Sequence, residues 1–86
     1  LSGVSIRAQF NKLKENLSSF EDISLLTKHF EQAAEFSNLC MNKGIQGSNT
    51  DFLICAVSYI ENLSIFTIDN DFLNYKKYLP IKLMNY

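Results

Sequence analysis

Residues 49–72, NTDFLICAVSYIENLSIFTIDNDF, decide how the chain is read. Asn49, Thr50 and Asp51 form a polar start. Phe52 to Ile60 is then apolar nearly all round, and a helix with so little polar face is a buried one. Leu63 to Ile68 is a mostly apolar, β-branched run whose length and flanks predict a buried parallel strand. Asp69 and Asp71 close it. A helix feeding a strand in this way returns the chain to the same end of a sheet. Asp51, Asp69 and Asp71 are therefore expected to meet there, although they lie far apart in sequence.

Outward from this stretch, the remaining elements read as its support. Downstream, residues 71–78 predict a short helix that stops before Pro80. Ile81, Lys82 and Leu83 predict a final edge strand, where a preceding proline is tolerated. Upstream, Gly47 and Ser48 form a loop, and Asn49 and Ser48 are natural turn or cap residues. A long helix should run from about Thr27, its expected N-cap, to Asn42, and end at Gly44 just after Lys43. Ile23, Leu25 and Leu26, behind Glu21 and Asp22, predict a short strand. Residues 5–20 carry Ile6, Phe10, Leu13, Leu17 and Phe20 at spacings of four, three, four and three, one face of an amphipathic helix. Arg7, Asn11, Lys12, Lys14 and Glu15 fall mostly off that face and read as solvated surface rather than as an RNA-binding stripe. His29 has no second His or Cys at ligand spacing, so a surface or packing role is expected rather than a metal role.

The element order is thus α, β, α, α, β, α, β, which implies an α/β fold with a mostly parallel sheet flanked by helices. With 86 residues, one domain is the ceiling, and such a chain buries only about 60–65% of its unfolded surface. Apolar residues make up 47% and only three residues are Gly, which argues for a folded chain and against disorder. A net charge of −1 gives no bulk signal for nucleic acid. Cys40 and Cys55 are too few for a disulfide framework and read as buried thiols in a reducing, cytoplasmic setting. The longest apolar runs fall far short of the roughly 20 residues of a membrane span.

The acidic corner has a chemical reading. Ligands of open α/β sheets bind at the carboxyl ends of the strands, and Asp69 sits where the Leu63–Ile68 strand ends. Clustered carboxylates repel one another and raise each other's pKa values. A hard divalent ion offsets that repulsion, and Mg²⁺ suits oxygen ligands while keeping several waters. Such an ion activates water and stabilises the transition state of phosphodiester hydrolysis. Each acid also has a plainer use. Asp51 near a helix N-terminus is favoured by the dipole. Asp69 and Asp71 around Asn70 suit an ordinary turn and N-cap, and Thr67 suits a strand.

Taken together, these residues resemble the C-terminal part of PIN-domain nucleases, the family of VapC-type toxins. That family carries an Asp at the head of an apolar helix, then a strand ending in T-x-D-x-D-F; here the matches are Asp51, Thr67, Asp69, Asp71 and Phe72. The upstream helices, the Ile23–Leu26 strand, Gly44 and the Pro80–Leu83 strand agree with it, so the resemblance covers nearly the whole chain. It implies a PIN-like, Mg²⁺- or Mn²⁺-dependent endoribonuclease, the toxin of a toxin–antitoxin pair. Asp51 and Asp69 would be metal ligands and Asp71 a supporting acid, the three forming the catalytic set. Thr67 would orient the acids, and Asn49 and Thr67 would face the RNA substrate. Lys43, Lys76 and Lys77 are candidates for phosphate contacts.

The resemblance also implies what residues 1–86 lack: the family's opening strand with its first Asp, and a Glu on the following helix. Leu1, Ser2 and Gly3 look like the tail of that Glu-bearing segment. The chain is expected to be a single incomplete domain, its natural start upstream and its sheet interrupted beside an open apolar groove. On its own it is expected to cleave RNA little or not at all. Association with the missing segment, with an antitoxin or with a second copy is expected. The rival reading is a non-catalytic α/β protein-binding module whose acids are only caps and whose contact is the Ile6–Phe20 helix. A receiver-like phosphoacceptor fits less well, because no acidic pair follows an early strand.

Overall fold

The structure, a computed structural model, describes residues 11–17, 24–67 and 69–84. The elements run α1 (residues 11–16), α2 (Thr27–Asn42), α3 (Asn49–Glu61), β1 (Ser64–Phe66), α4 (Asn70–Lys76) and β2 (Lys82–Met84). The described residues are thus mixed α/β, four helices with a two-stranded parallel sheet.

α3 is the centre of the packing. Every residue from Phe52 to Ser58 is buried, as its unbroken apolar character requires. Leu13 and Leu17 cover it from one side, Phe36 and Cys40 of α2 join it, and Ile65, Phe72, Tyr75, Leu79 and Ile81 complete the core. Both ends of α3 are closed locally. Ser48 Oγ accepts the Asp51 N–H at 3.1 Å, taking up one of the free donors of the first turn. At the other end Asn62 adopts a left-handed conformation, φ 58° and ψ 49°, which Asn tolerates better than most residues. The Leu63 N–H then returns to the Ser58 carbonyl, and the Ser58 hydroxyl donates to the Leu63 carbonyl. This reversal sends the chain straight into β1.

β1 and β2 pair in parallel, with Ser64 opposite Lys82, Ile65 opposite Leu83 and Phe66 opposite Met84. Parallel neighbours need a crossover, and α4 supplies it. Before β2 the Ile81 N–H bonds the Leu79 carbonyl at 2.9 Å, a tight turn around Pro80 that keeps its missing N–H out of the ladder. On its other edge, β1 meets Leu17, which forms an isolated antiparallel bridge with Ile65.

Several boundaries differ from the sequence reading. Leu13 and Leu17 are buried as expected, while Ile6, Phe10 and Phe20 lie outside the described residues. Residues 24–26 form no strand. Leu26 is extended but acts as the N-cap of α2 in place of Thr27, and its N–H is taken by His29 Nδ1 at 2.9 Å instead of by a strand partner. Ile23 lies outside the described residues. β1 covers only Ser64–Phe66 of the expected 63–68, α4 begins at Asn70 and ends at Lys76, and β2 is shifted by one residue. Gly44 does end α2: it has φ 78°, its N–H bonds the Met41 carbonyl, and the Ile45 N–H bonds the Cys40 carbonyl. That pair of bonds is a Schellman closure, which favours a glycine at this position.

Candidate functional site

Asp51 stands in the first turn of α3, where the helix dipole favours a negative charge. Its carboxylate is not free of the protein. The hydroxyl of Tyr75, a fully buried residue of α4, donates to Asp51 Oδ2 at 2.8 Å. The Tyr75 ring is held by Phe52 at 5.1 Å and Phe72 at 5.1 Å between centroids, the latter edge-to-face. Gly47 makes room for it: a Cβ there would run into the Tyr75 hydroxyl and the Phe52 ring. The start of α3, the loop before it and α4 thus converge on one carboxylate.

Asp69 and Asp71 come from the other side, at the carboxyl end of β1. The Asp69 N–H donates to Thr67 Oγ1 at 3.0 Å. Asp69 Oδ1 in turn accepts the Asp71 N–H at 3.0 Å, capping α4. Thr67 therefore fixes the backbone of Asp69 rather than its carboxylate. Thr67 and Asp69 open into a cleft of about 260 Å³ whose other polar walls are Lys12, Glu15 and Asn16 of α1, over Phe66 and Phe72. Lys12 and Glu15 belong to the charged face that the sequence reading assigned to solvent; Asn16 was not singled out there. What that reading lacked was the fold of α1 onto the end of β1, signalled only by the Leu13–Leu17 stripe.

The residues expected to act together are divided between places. Asp51 is joined to Tyr75, Asp69 and Thr67 share the cleft, and Asp71 lies within electrostatic reach of Tyr75. Asn49 lines a different, more apolar groove of about 370 Å³ between α2 and α3, with Phe30, Ala33, Ala34, Ser37, Asn38, Phe52 and Leu53. Of the lysines expected at phosphates, Lys76 donates to the Ile81 carbonyl at 3.2 Å, Lys43 lies over the Tyr78 ring at 5.8 Å, and Lys77 is the exposed C-cap of α4. Asp51, Asp69 and Asp71 offer carboxylate oxygens, the donors a hard divalent cation takes, and Mg²⁺ is commonly held by one or two carboxylates with waters; Lys12 and Asn16 line the same cleft as Asp69. Among the described residues no three His, Cys, Asp or Glu side chains stand together as a metal-holding group; Asp51 and Asp69 each offer oxygen donors of the kind such an ion takes.

Burial and charge also shape the acid–base behaviour. The Tyr75 phenol is pushed up from 10.0, first by burial, then by its hydrogen bond to Asp51 and the charges of Asp51 and Asp71. Burial, with smaller contributions from Asp51 and Cys40, pushes the Cys55 thiol up from 9.0, and burial pushes Cys40 up as well. The folded chain thus holds these protons more tightly than the unfolded chain. Their contribution to stability is complete below the unfolded values and is lost as pH rises above them. The melting temperature is therefore expected to fall from about pH 9 upward, with Tyr75→Phe removing the later part of the fall and Cys55→Ala the earlier. A melting temperature unchanged up to about pH 11 would contradict these environments.

One buried polar pair was not legible as such. His29 is fully buried, accepts the Leu26 N–H on Nδ1, and meets Glu61 Oε2 through Nε2 at 2.8 Å. Because Nδ1 accepts, Nε2 carries the hydrogen and donates to Glu61. The link ties the first turn of α2 to the last residue of α3. The signal was available: His29 lies on the inward stripe of Ala33, Phe36 and Cys40, at spacings of four, three and four.

The fold and site define a small mixed α/β unit with a parallel strand pair and a polar cleft at the end of β1, lined by Asp69, Glu15, Thr67, Asn16 and Lys12. No family model, no curated protein and no solved structure matches the chain. No helix among the described residues is long and apolar enough to cross a membrane.

Proposed function

We propose that this chain carries part of the active site of a PIN-like, Mg²⁺- or Mn²⁺-dependent endoribonuclease, the toxin of a toxin–antitoxin pair in the cytoplasm. The observation that supports this most is the path from α3 into β1. A buried helix headed by Asp51 turns at Asn62 into a parallel strand, and that strand delivers Thr67, Asp69 and Asp71 at its carboxyl end. Ligands of open α/β sheets bind at that end. The assignment to RNA rests on the resemblance of Asp51, Thr67, Asp69, Asp71 and Phe72 to the family's pattern.

In this reading Asp51 and Asp69 hold the cation, and Asp71 adds negative charge beside them. Thr67 keeps the Asp69 backbone in place, and Lys12 brings positive charge to the cleft wall, suited to a phosphate. A bound Mg²⁺ or Mn²⁺ would supply an activated water and stabilise charge on the phosphorus-centred transition state. The test is Mn²⁺-dependent cleavage of single-stranded RNA by the intact parent that the resemblance implies. Asp69→Asn and Asp51→Asn should each lower the rate about 100-fold or more, the scale of losing one group that stabilises developing charge. Equal cleavage by all three proteins, or none by any, would end the enzyme reading.

A second reading has its own observation. The apolar side chains that remain exposed include Leu26, Phe30 and Met41, at 51%, 50% and 62%, along α2. A protein-binding module would use this face, not the α1 stripe expected from sequence, because Leu13 and Leu17 are spent on the core. Such a module would show no change in melting temperature with Mg²⁺ or Mn²⁺.

A further inference from the structure

We infer that Tyr75 is a positioning residue for the Asp51 carboxylate, holding it in the orientation in which it binds a divalent cation. The inference rests on the proposed role of Asp51 as a metal ligand and extends it to a residue outside the sequence pattern. Tyr75 lies 24 positions from Asp51 in sequence, on α4 rather than α3. Its hydroxyl reaches Oδ2 at 2.8 Å.

Three features make this an orienting contact rather than an incidental one. Tyr75 is fully buried, and Phe52 and Phe72 fix its ring from two directions. The backbone of Gly47 approaches the hydroxyl so closely that any side chain there would collide with it. A half-buried carboxylate such as Asp51 otherwise rotates among several rotamers, and holding one of them removes an ordering cost from ligand binding. Hydrogen-bonded partners behind a ligating carboxylate commonly change metal affinity by about 10–100-fold when removed. Tyr75 also links that orientation to α4, whose N-cap is Asp69. The two acids of the proposed pair are thus set by one short helix: Asp69 at its start and Asp51 through its buried tyrosine.

The test uses Mn²⁺ alone with the purified chain, its affinity read from the loss of free-ion electron spin resonance. Tyr75→Phe keeps the ring and removes only the hydroxyl. It is expected to weaken Mn²⁺ binding about 10-fold or more, and Asp51→Asn to weaken it at least as much. A second measurement needs no variant: in a Mg²⁺ titration of the ¹³C-labelled chain, the Asp51 Cγ and Tyr75 Cζ resonances should move together with one Kd. If Asp51→Asn weakens binding while Tyr75→Phe does not, or Asp51 Cγ moves while Tyr75 Cζ stays still, Tyr75 does not position the ligand and the inference alone falls. If Asp51→Asn leaves Mn²⁺ binding unchanged, Asp51 is no ligand, and both the inference and the role it rests on are overturned.

Discussion

Tyr75→Ala is expected to destabilise the chain by about 3–5 kcal/mol, the cost of emptying a buried aromatic site. Three losses combine. The ring leaves a cavity against Phe52 and Phe72, the edge-to-face contact disappears, and Asp51 loses its donor. Small domains are stable by only about 5–15 kcal/mol in total, so the variant should be largely or marginally folded at room temperature. Tyr75→Phe should cost far less, about 1 kcal/mol, because only the hydrogen bond goes. Urea unfolding followed by circular dichroism separates the two. Equal midpoints for Tyr75→Ala and Tyr75→Phe would mean that the ring is not packed as described.

The second large effect is expected at the link between α2 and α3. His29→Ala should cost about 2–4 kcal/mol, combining a cavity with a buried Leu26 N–H left without its acceptor. Glu61 is partly exposed and can turn to water, so its share is small. Glu61→Gln keeps an oxygen for the Nε2–H and should cost under about 1 kcal/mol. The same urea series checks both. A large effect at Glu61 with a small one at His29 would show that the His29–Glu61 hydrogen bond, and not the cap at Leu26, holds the two helices together.

These two positions also mark the limit of what the sequence makes legible. Periodicity placed α3, β1, α4 and β2 in order and made the two strands parallel, because an all-apolar helix followed by a β-branched run leaves few other arrangements. Gly44 ended α2 as its chemistry requires. The short strand at 23–26 did not appear among the described residues 24–26, since extended character alone does not make a strand. The Leu26 N–H had a nearer acceptor in His29. Tyr75 was not singled out in the sequence, and His29 was expected only in a surface or packing role. Their roles depend on partners 24 and 32 residues away, and local spacing carries no information at that range. Likewise, Asp69 was marked from its place at the end of the strand and Thr67 from the T-x-D-x-D-F pattern, whereas Lys12, Glu15 and Asn16 entered the cleft only through the packing of α1 beside β1.

Uptake of a divalent cation at the end of β1 is the central property to measure. The direct measurement is a Mg²⁺ titration of the ¹⁵N-labelled chain, following every backbone amide. The account predicts saturable shifts concentrated at Asp51, Thr67, Asp69 and Asp71, abolished by Asp69→Asn. Shifts confined to other surface acids, such as Glu31 and Glu35 on α2, or no saturable shifts at all, would contradict it.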